Sequence, residues 1–178
     1  MKLIRKITER IARRNPIEYA RKIGVKVGNE CRFTGNPRWG SEPWLIQVEN
    51  HVLLSAEVNF VTHDAGTFLF RDTEEYKDVF KFAPIVIHDN CFIGMRSTLL
   101  PGIEIGPNSV IAAGSVVTRS VPPGEVWGGG VPAHFIETTK EYADKCKETK
   151  LPYDIQAYKT DMKAELLRVT HQAYKFFK

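Results

Sequence analysis

Between Ile87 and Val117 an aliphatic residue returns at every sixth position: Ile87, Ile93, Leu99, Ile105, Ile111 and Val117. A period of six is neither that of a helix nor that of a lone strand. It suits a coil of short straight segments with a corner after each. A second row lies four residues further on, at Cys91, Ser97, Ile103, Ser109, Ser115 and Val121, all small or aliphatic. Each of its members from Cys91 to Ser115 falls two before the next residue of the first row. The pair therefore brackets one outward residue, as an alternating strand does. The pattern predicts a four-residue strand plus a two-residue turn in each hexad. Gly94, Gly106 and the pairs Pro101-Gly102 and Pro107-Asn108 supply corner chemistry. Three hexads close one triangular turn, and stacked turns bury a column that no single turn buries alone.

A second block carries the same spacing, with Val48, Leu54 and Phe60 in one row and Val52 and Val58 in the other. The register before it, from Val27 to Trp39, is irregular. The repeat then stops over residues 64–84 (DAGTFLFRDTEEYKDVFKFAP). Long interruptions of compact domains are usually functional or disordered. The aromatic and aliphatic content of this one argues against disorder, so it is expected to lie over something. Pro122-Pro123-Gly124 and Gly128-Gly129-Gly130 are read as the end of the coil. At the start, Leu3, Ile7 and Ile11 share a helical face, and Asn15-Pro16 breaks that helix and starts a short one ending near Gly24. Such a basic amphipathic segment can pack on the first coil or lie on a membrane; packing is the expectation. Residues after 138 read as helical with a break at Leu151-Pro152, and Leu166, Leu167, Val169, Ala173, Tyr174 and Phe177 form an apolar set. The expected organisation is helices over 1–24, a repeat domain over 25–137 with its insertion at 64–84, and helices over 138–178. The fold class is an all-β solenoid of about four to five coils with flanking helices.

Composition narrows the function classes. A net charge of +4 allows anionic ligands without arguing for nucleic acid. Cys31, Cys91 and Cys146 have neither metal-ligand nor disulfide spacing, and Cys91, in an inward row, reads as a small buried hydrophobe. No apolar run has the length of a signal peptide core or a membrane span. A cytoplasmic protein without membrane association is expected.

The hexad rows, with IGPNSVIAAGSVVTRSVPPG and GGVPA, resemble the hexapeptide-repeat acyltransferases over roughly residues 25–137. Within that family, SEPWLI and VNFVTHD resemble O-acetyltransferases of sugars, capsular polysaccharides and certain antibiotics. The resemblance implies a left-handed parallel β-helix, a homotrimer, acetyl-CoA as donor, and catalytic residues at the subunit interface. The sequence shows neither the long helical N-terminal domain of serine acetyltransferases nor the short N-terminal segment typical of maltose acetyltransferases, so a capsule, O-antigen or nucleotide-sugar-related acceptor is expected.

Acyl transfer to a hydroxyl needs a base, and imidazole suits the task near neutral pH. Of five histidines, His63 ends a coil and opens the insertion, and it also matches the family's catalytic histidine. His51 and His88 read as turn histidines bonded to backbone, and His171 as a solvated or interface residue. Asp64 is expected to contact the acceptor or cap the loop; adjacent residues face each other poorly, so a backbone carbonyl can equally hold the ring. Glu42, Trp44 and Asn59 belong to the resembling segment, with Glu42 as a second acceptor contact. Trp39 and Trp44 fit equally as packing at a coil corner. Small residues at Ala112, Ala113, Gly114 and Ser115 permit close approach to a coil edge. By resemblance, Ala113, Thr118 and Arg119 line the pantetheine arm and phosphates, and Val131-Pro132-Ala133 lies beside the adenosine. Where the family often carries Arg or Lys, His134 and Glu137 stand here, so phosphate recognition shifts to Lys140 or Arg119. Arg119 also reads as a plain surface charge, and Trp127 as a stacking or sealing residue. Three further readings stay open: an N-acyltransferase of an amino sugar or an antibiotic acetyltransferase, a non-catalytic scaffold, and a γ-carbonic-anhydrase-like hydratase. The last needs three converging histidines on zinc, and no metal site is expected.

Overall fold

The computed structural model describes residues 15–174. Leu3, Ile7, Ile11 and Phe177, and with them most of the expected N-terminal helix, lie outside the described residues. Residues 1–140 and 141–178 form two compact units.

In the first unit the chain visits three sheets in turn, parallel throughout except for the last strand. The first sheet holds β1 (Lys26–Val27), β3 (Ile46–Val48), β6 (Ile85–Ile87) and β9 (Ile103–Ile105). The second holds β2 (Arg32–Phe33), β4 (Leu53–Leu54), β7 (Phe92–Ile93), β10 (Val110–Ile111), β12 (Glu125–Gly128) and β13 (His134–Thr138). The third holds β5 (Asn59–Phe60), β8 (Thr98–Leu99) and β11 (Val116–Val117). Successive strands never pair with each other, save β12 with β13; each pairs with the strand one coil away. Equivalent residues of the regular coils stand 18 apart, as in the Asn90 to Asn108 corner contact.

Both predicted rows point inward. Every member from Val48 to Val121, Cys91 and the three serines included, is at most 3% exposed. The serines survive burial because each hydroxyl donates to a backbone carbonyl: Ser97 and Ser115 to Ala112, Ser109 to Pro122. The Cys91 thiol donates to Gly106, and burial pushes its pKa up to about 11, which makes it an inert part of the core.

The strands are shorter than predicted, two or three residues rather than four in the regular coils, and the corners correspondingly longer. Left-handed backbone recurs in columns at these corners, at His51, Asn90 and Asn108 and at Glu57, Arg96 and Gly114. Gly94 and Gly106 do other work. A Cβ on Gly94 would stand 2.4 Å from the Ala113 nitrogen, and one on Gly106 2.6 Å from that of Pro123. Hydrogen is the only side chain that lets successive coils close at these positions.

Two boundaries differ from the sequence reading. Pro122-Pro123-Gly124 is a corner, not an end. Val121 bridges Ile105, and β12 then continues the second sheet on β10. The coil is closed instead by β13, antiparallel to β12, a strand that the six-residue period does not announce. Proline spaced for a corner and proline that stops a coil look alike in sequence.

Helix α1 (Pro16–Lys22) starts where Asn15-Pro16 predicts, the Asn15 side chain accepting from Glu18 N–H. Helices α2 (Thr139–Thr149), α3 (Ile155–Thr160) and α4 (Met162–Ala173) follow the repeats, with the break at Leu151-Pro152 in place. In the second unit, Glu165 of α4 accepts from Asp154 N–H and is paired with Arg168, which holds its carboxyl down to about 2. Of the apolar set expected there, only Val169 is buried among the described residues.

Candidate active site

The coils keep strict register except at one corner, between the third sheet and the first. In the first coil Lys26 pairs with Gln47 and Arg38 bridges Asn59, a step of 21 residues rather than 18. Arg32 also pairs with Leu53 at that step, so the extra residues lie between Arg38 and Gln47. They form a short turn ending in the 3-10 segment Pro43–Leu45, with Glu42 at its head. In the second coil Leu53 pairs with Phe92 and Ile46 with Ile85, a step of 39. That excess is the insertion, and it leaves from the same corner one coil later. Two interruptions stacked this way bring Glu42 and His63 together.

Glu42 Oε2 lies 2.9 Å from His63 Nδ1 and 2.6 Å from the Thr62 hydroxyl. Thr62 is buried, the Glu42 side chain is 15% exposed and that of His63 35%. The Thr62 hydrogen bond is the largest of the effects that hold the Glu42 carboxyl below its usual range. An ionised carboxylate accepts only, so Nδ1 carries the proton and Nε2 presents its lone pair. Among the described residues Nε2 has no hydrogen-bond partner. Phe82 pairs across from His63 in an antiparallel bridge, its ring 5.9 Å away. The neck of the insertion is tied by Asp64 N–H to Lys81 O and Ala83 N–H to Thr62 O. A ring with one nitrogen held and the other open on a fixed edge is built to take a proton.

Asp64 does not reach the ring. Its carboxylate caps the following 3-10 segment, accepting from Gly66 N–H at 3.0 Å, and it pairs with Lys81 at 3.3 Å. The Gly66 bond and then Lys81 lower its pKa. Holding the ring falls to Glu42 rather than to a backbone carbonyl. Two large apolar side chains of the insertion stay uncovered in this chain: Phe68 and Leu69 are 69% and 86% exposed. Trp44, beside Glu42, is exposed as well, whereas Trp39 is buried and stacks on Phe60 at 4.9 Å. Asn59 is half-buried on β5.

Thr118 and Arg119 follow β11 at the His63 corner, two coils along from it. At about 4.8 Å per coil, that is roughly 10 Å. The Arg119 guanidinium lies 5.0 Å from the Trp127 ring, and Trp127 is buried against the coil end. Ala113 stands at the opposite end of the third sheet, exposed, and its N–H donates to no group among the described residues. Ala133 is anchored there, its N–H donating to Val116 O, beside an exposed Pro132. Lys140 lies elsewhere. It lines a groove of about 850 Å3 across the second sheet with Arg32, Phe92 and Val110. The residues expected at a cofactor therefore occupy three places in one chain.

His88 and His51 are not bonded to backbone as expected. His88 sits between Glu49 and Glu104, at 3.1 and 3.0 Å, and His51 Nδ1 lies 2.7 Å from Asn90 Oδ1. Corner side chains stack with the coils and meet each other before they meet backbone. Among the described residues no group of three His, Cys, Asp or Glu is placed to hold a metal ion, and no helix is long and apolar enough to cross a membrane. The pairing of Glu42 with His63 is the feature of the candidate site that sequence reasoning missed. Its signal was present in the change of coil length from 18 to 21 before Glu42.

Residues 84–119 match the family model for bacterial transferase hexapeptide repeats. Protein CapG of Staphylococcus aureus is 44% identical over 148 residues, covering 82% of this chain and 84% of that protein. The galactoside O-acetyltransferase of Escherichia coli K12 is 31% identical over 120 residues; these are 67% of this chain and 54% of that protein, so the chain spans about half the length of that relative. Among solved structures, the polySia-specific acetyltransferase NeuO is 20% identical with a TM-score of 0.52, over 64% of this chain and 51% of that one, a likeness of fold.

Proposed function

The chain belongs to the family of bacterial hexapeptide-repeat transferases and is an acyltransferase, and from that premise we propose that it transfers an acetyl group from acetyl-CoA to a hydroxyl of a sugar or glycan. The observation that carries the proposal is the His63 ring, with Nδ1 tied to Glu42 and Nε2 open to the corner. The similarity to a galactoside O-acetyltransferase supports a sugar acceptor and O-acylation.

Acetyl-CoA supplies a thioester carbonyl activated for attack. His63 Nε2 takes the acceptor's hydroxyl proton as its oxygen adds to that carbonyl. The Glu42 carboxylate keeps Nδ1 protonated and stabilises the imidazolium that forms. The same ring then returns its proton to the departing sulfur. A backbone N–H without a protein partner, as at Ala113, can receive the charge that develops on the carbonyl oxygen. The residues present fit the donor: a small exposed edge at Ala112–Gly114 admits the pantetheine arm, and Arg119 supplies a cation for its phosphates.

The three stacked parallel faces support a left-handed parallel β-helix over 25–137, with 1–24 before it and 138–178 after it in sequence. Ala113 and His63 lie at opposite ends of the third sheet, so one subunit does not join the two. A closed homotrimer places the Ala113 edge of one copy beside the His63 edge of the next. Exposed aromatics of the insertion, with Trp44 and Asn59, then face the acceptor at that junction. Lys140, on another face, is not a contact of the donor in this reading.

The test incubates purified protein with acetyl-CoA and a panel of neutral sugars, oligosaccharides and amino sugars. Free thiol release is followed, and the products are treated with hydroxylamine. The proposal expects hydroxylamine-labile acetyl on a neutral sugar. Transfer only to amines would replace it by N-acylation, and thiol release without transfer would remove the sugar acceptor.

A further inference from the structure

Thr62 is the residue next to the base, yet its side chain faces the interior, 1% exposed. A buried hydroxyl in this fold ordinarily donates to a backbone carbonyl, as all three core serines do, Ser97 and Ser109 to the adjacent coil and Ser115 within its own. Thr62 donates instead to Glu42 Oε2, at 2.6 Å, the same oxygen that accepts from His63 Nδ1. Gly40, with φ +69, turns the chain directly in front of it; a Cβ there would lie 3.0 Å from Phe60 O and 3.6 Å from the Thr62 hydroxyl. This tight turn is what delivers Glu42 over Thr62.

We infer that Thr62 is a positioning residue for catalysis: its hydroxyl locks the Glu42 carboxylate in the one rotamer that orients the His63 ring. The inference rests on His63 being the base. Two donors converging on one oxygen leave the carboxylate no rotation that satisfies both except the observed one. They also favour its ionised form, so Nδ1 stays protonated and Nε2 stays an acceptor. Without the hydroxyl, Glu42 is held by the ring it is meant to hold, and the pair is free to turn together.

Thr62→Val keeps the shape and removes the donor. Turnover should fall about tenfold, the scale of one hydrogen bond to a charged group. The Michaelis constants for both substrates and the melting temperature should stay close to those of the parent. Thr62→Ser should restore turnover. In a Glu42→Gln background Thr62→Val should cost little further, because Thr62 acts only through Glu42. Nitrogen NMR of the His63 ring should report a single Nδ1–H tautomer in the parent and a mixture in Thr62→Val. Parent-like turnover in Thr62→Val, failure of Thr62→Ser to rescue, or full additivity with Glu42→Gln would overturn the inference. Loss of the base assignment is separable: full activity in His63→Ala overturns that reading, while the tautomer shift still reports whether Thr62 holds the pair.

Discussion

His63 and His88 both meet glutamate, at different corners of successive coils. At the corner between the third and first sheets, where the chain is interrupted twice, His63 has one ring nitrogen on Glu42 and the other open. At the uninterrupted corner between the first and second sheets, the neighbours of His88 come from the coil below and the coil above. Both of its nitrogens are occupied, by Glu49 and by Glu104. Regular stacking satisfies a polar side chain from both sides. An interruption removes one neighbour, and one ring nitrogen is left without a partner among the described residues, as the proposed base requires. In the proposed reading the repeat supplies stability and its breaks supply chemistry.

The largest expected effect tests that contrast directly. His63→Ala should lower turnover by about 10²–10⁴-fold while leaving melting temperature and acetyl-CoA affinity unchanged. His88→Gln should leave turnover near the parent value. Equal losses in a steady-state assay of the two variants would erase the distinction.

Stability should divide the other way. Ile105 is fully buried in a regular coil, and Ile105→Ala should cost about 2–5 kcal/mol in urea unfolding. Replacing residues 65–81 by two glycines leaves the neck hydrogen bond of Ala83 to Thr62 in place. Stability should then change by less than about 1 kcal/mol, since loop closure depends weakly on length. Activity on the acceptor should be lost. An unfolded excision variant would show that the insertion is structural.

Arg119→Ala should raise the Michaelis constant for acetyl-CoA about threefold to tenfold with turnover retained, as expected for an exposed charge that binds ground and transition states alike. An unchanged constant would remove Arg119 from the donor's path.

The smallest effect is in pH. The hydrogen bond that His88 donates to Glu104, aided by Glu49 and opposed by burial, raises the pKa of His88. The folded protein thus holds this proton more tightly than the unfolded chain. The stabilisation is fully present below the unfolded value, near 6.5, and fades as pH climbs through the higher folded value. The melting-temperature advantage of the parent over His88→Gln should be greatest near about pH 5.5 and shrink toward about pH 8.5. An advantage that grew with pH would reverse this assignment.

By itself the sequence determined the coil, its inward rows and the position of its catalytic candidate. These follow from local periodicity: a residue six on must meet the same face, and Ile87 to Val117 need no distant partner to declare it. His63 was legible because it stands where periodicity ends. Glu42 as its partner was not, because the two are 21 residues apart and meet only when the coils stack. The same holds for the carboxylates around His88, for the closing strand β13 and for Pro122 as a corner. Each depends on which residue lies one coil away, and interruptions of three and of 21 residues change that distance without changing the local pattern. Register between coils is a tertiary quantity, and it decided which polar groups were paired and which nitrogen was left free.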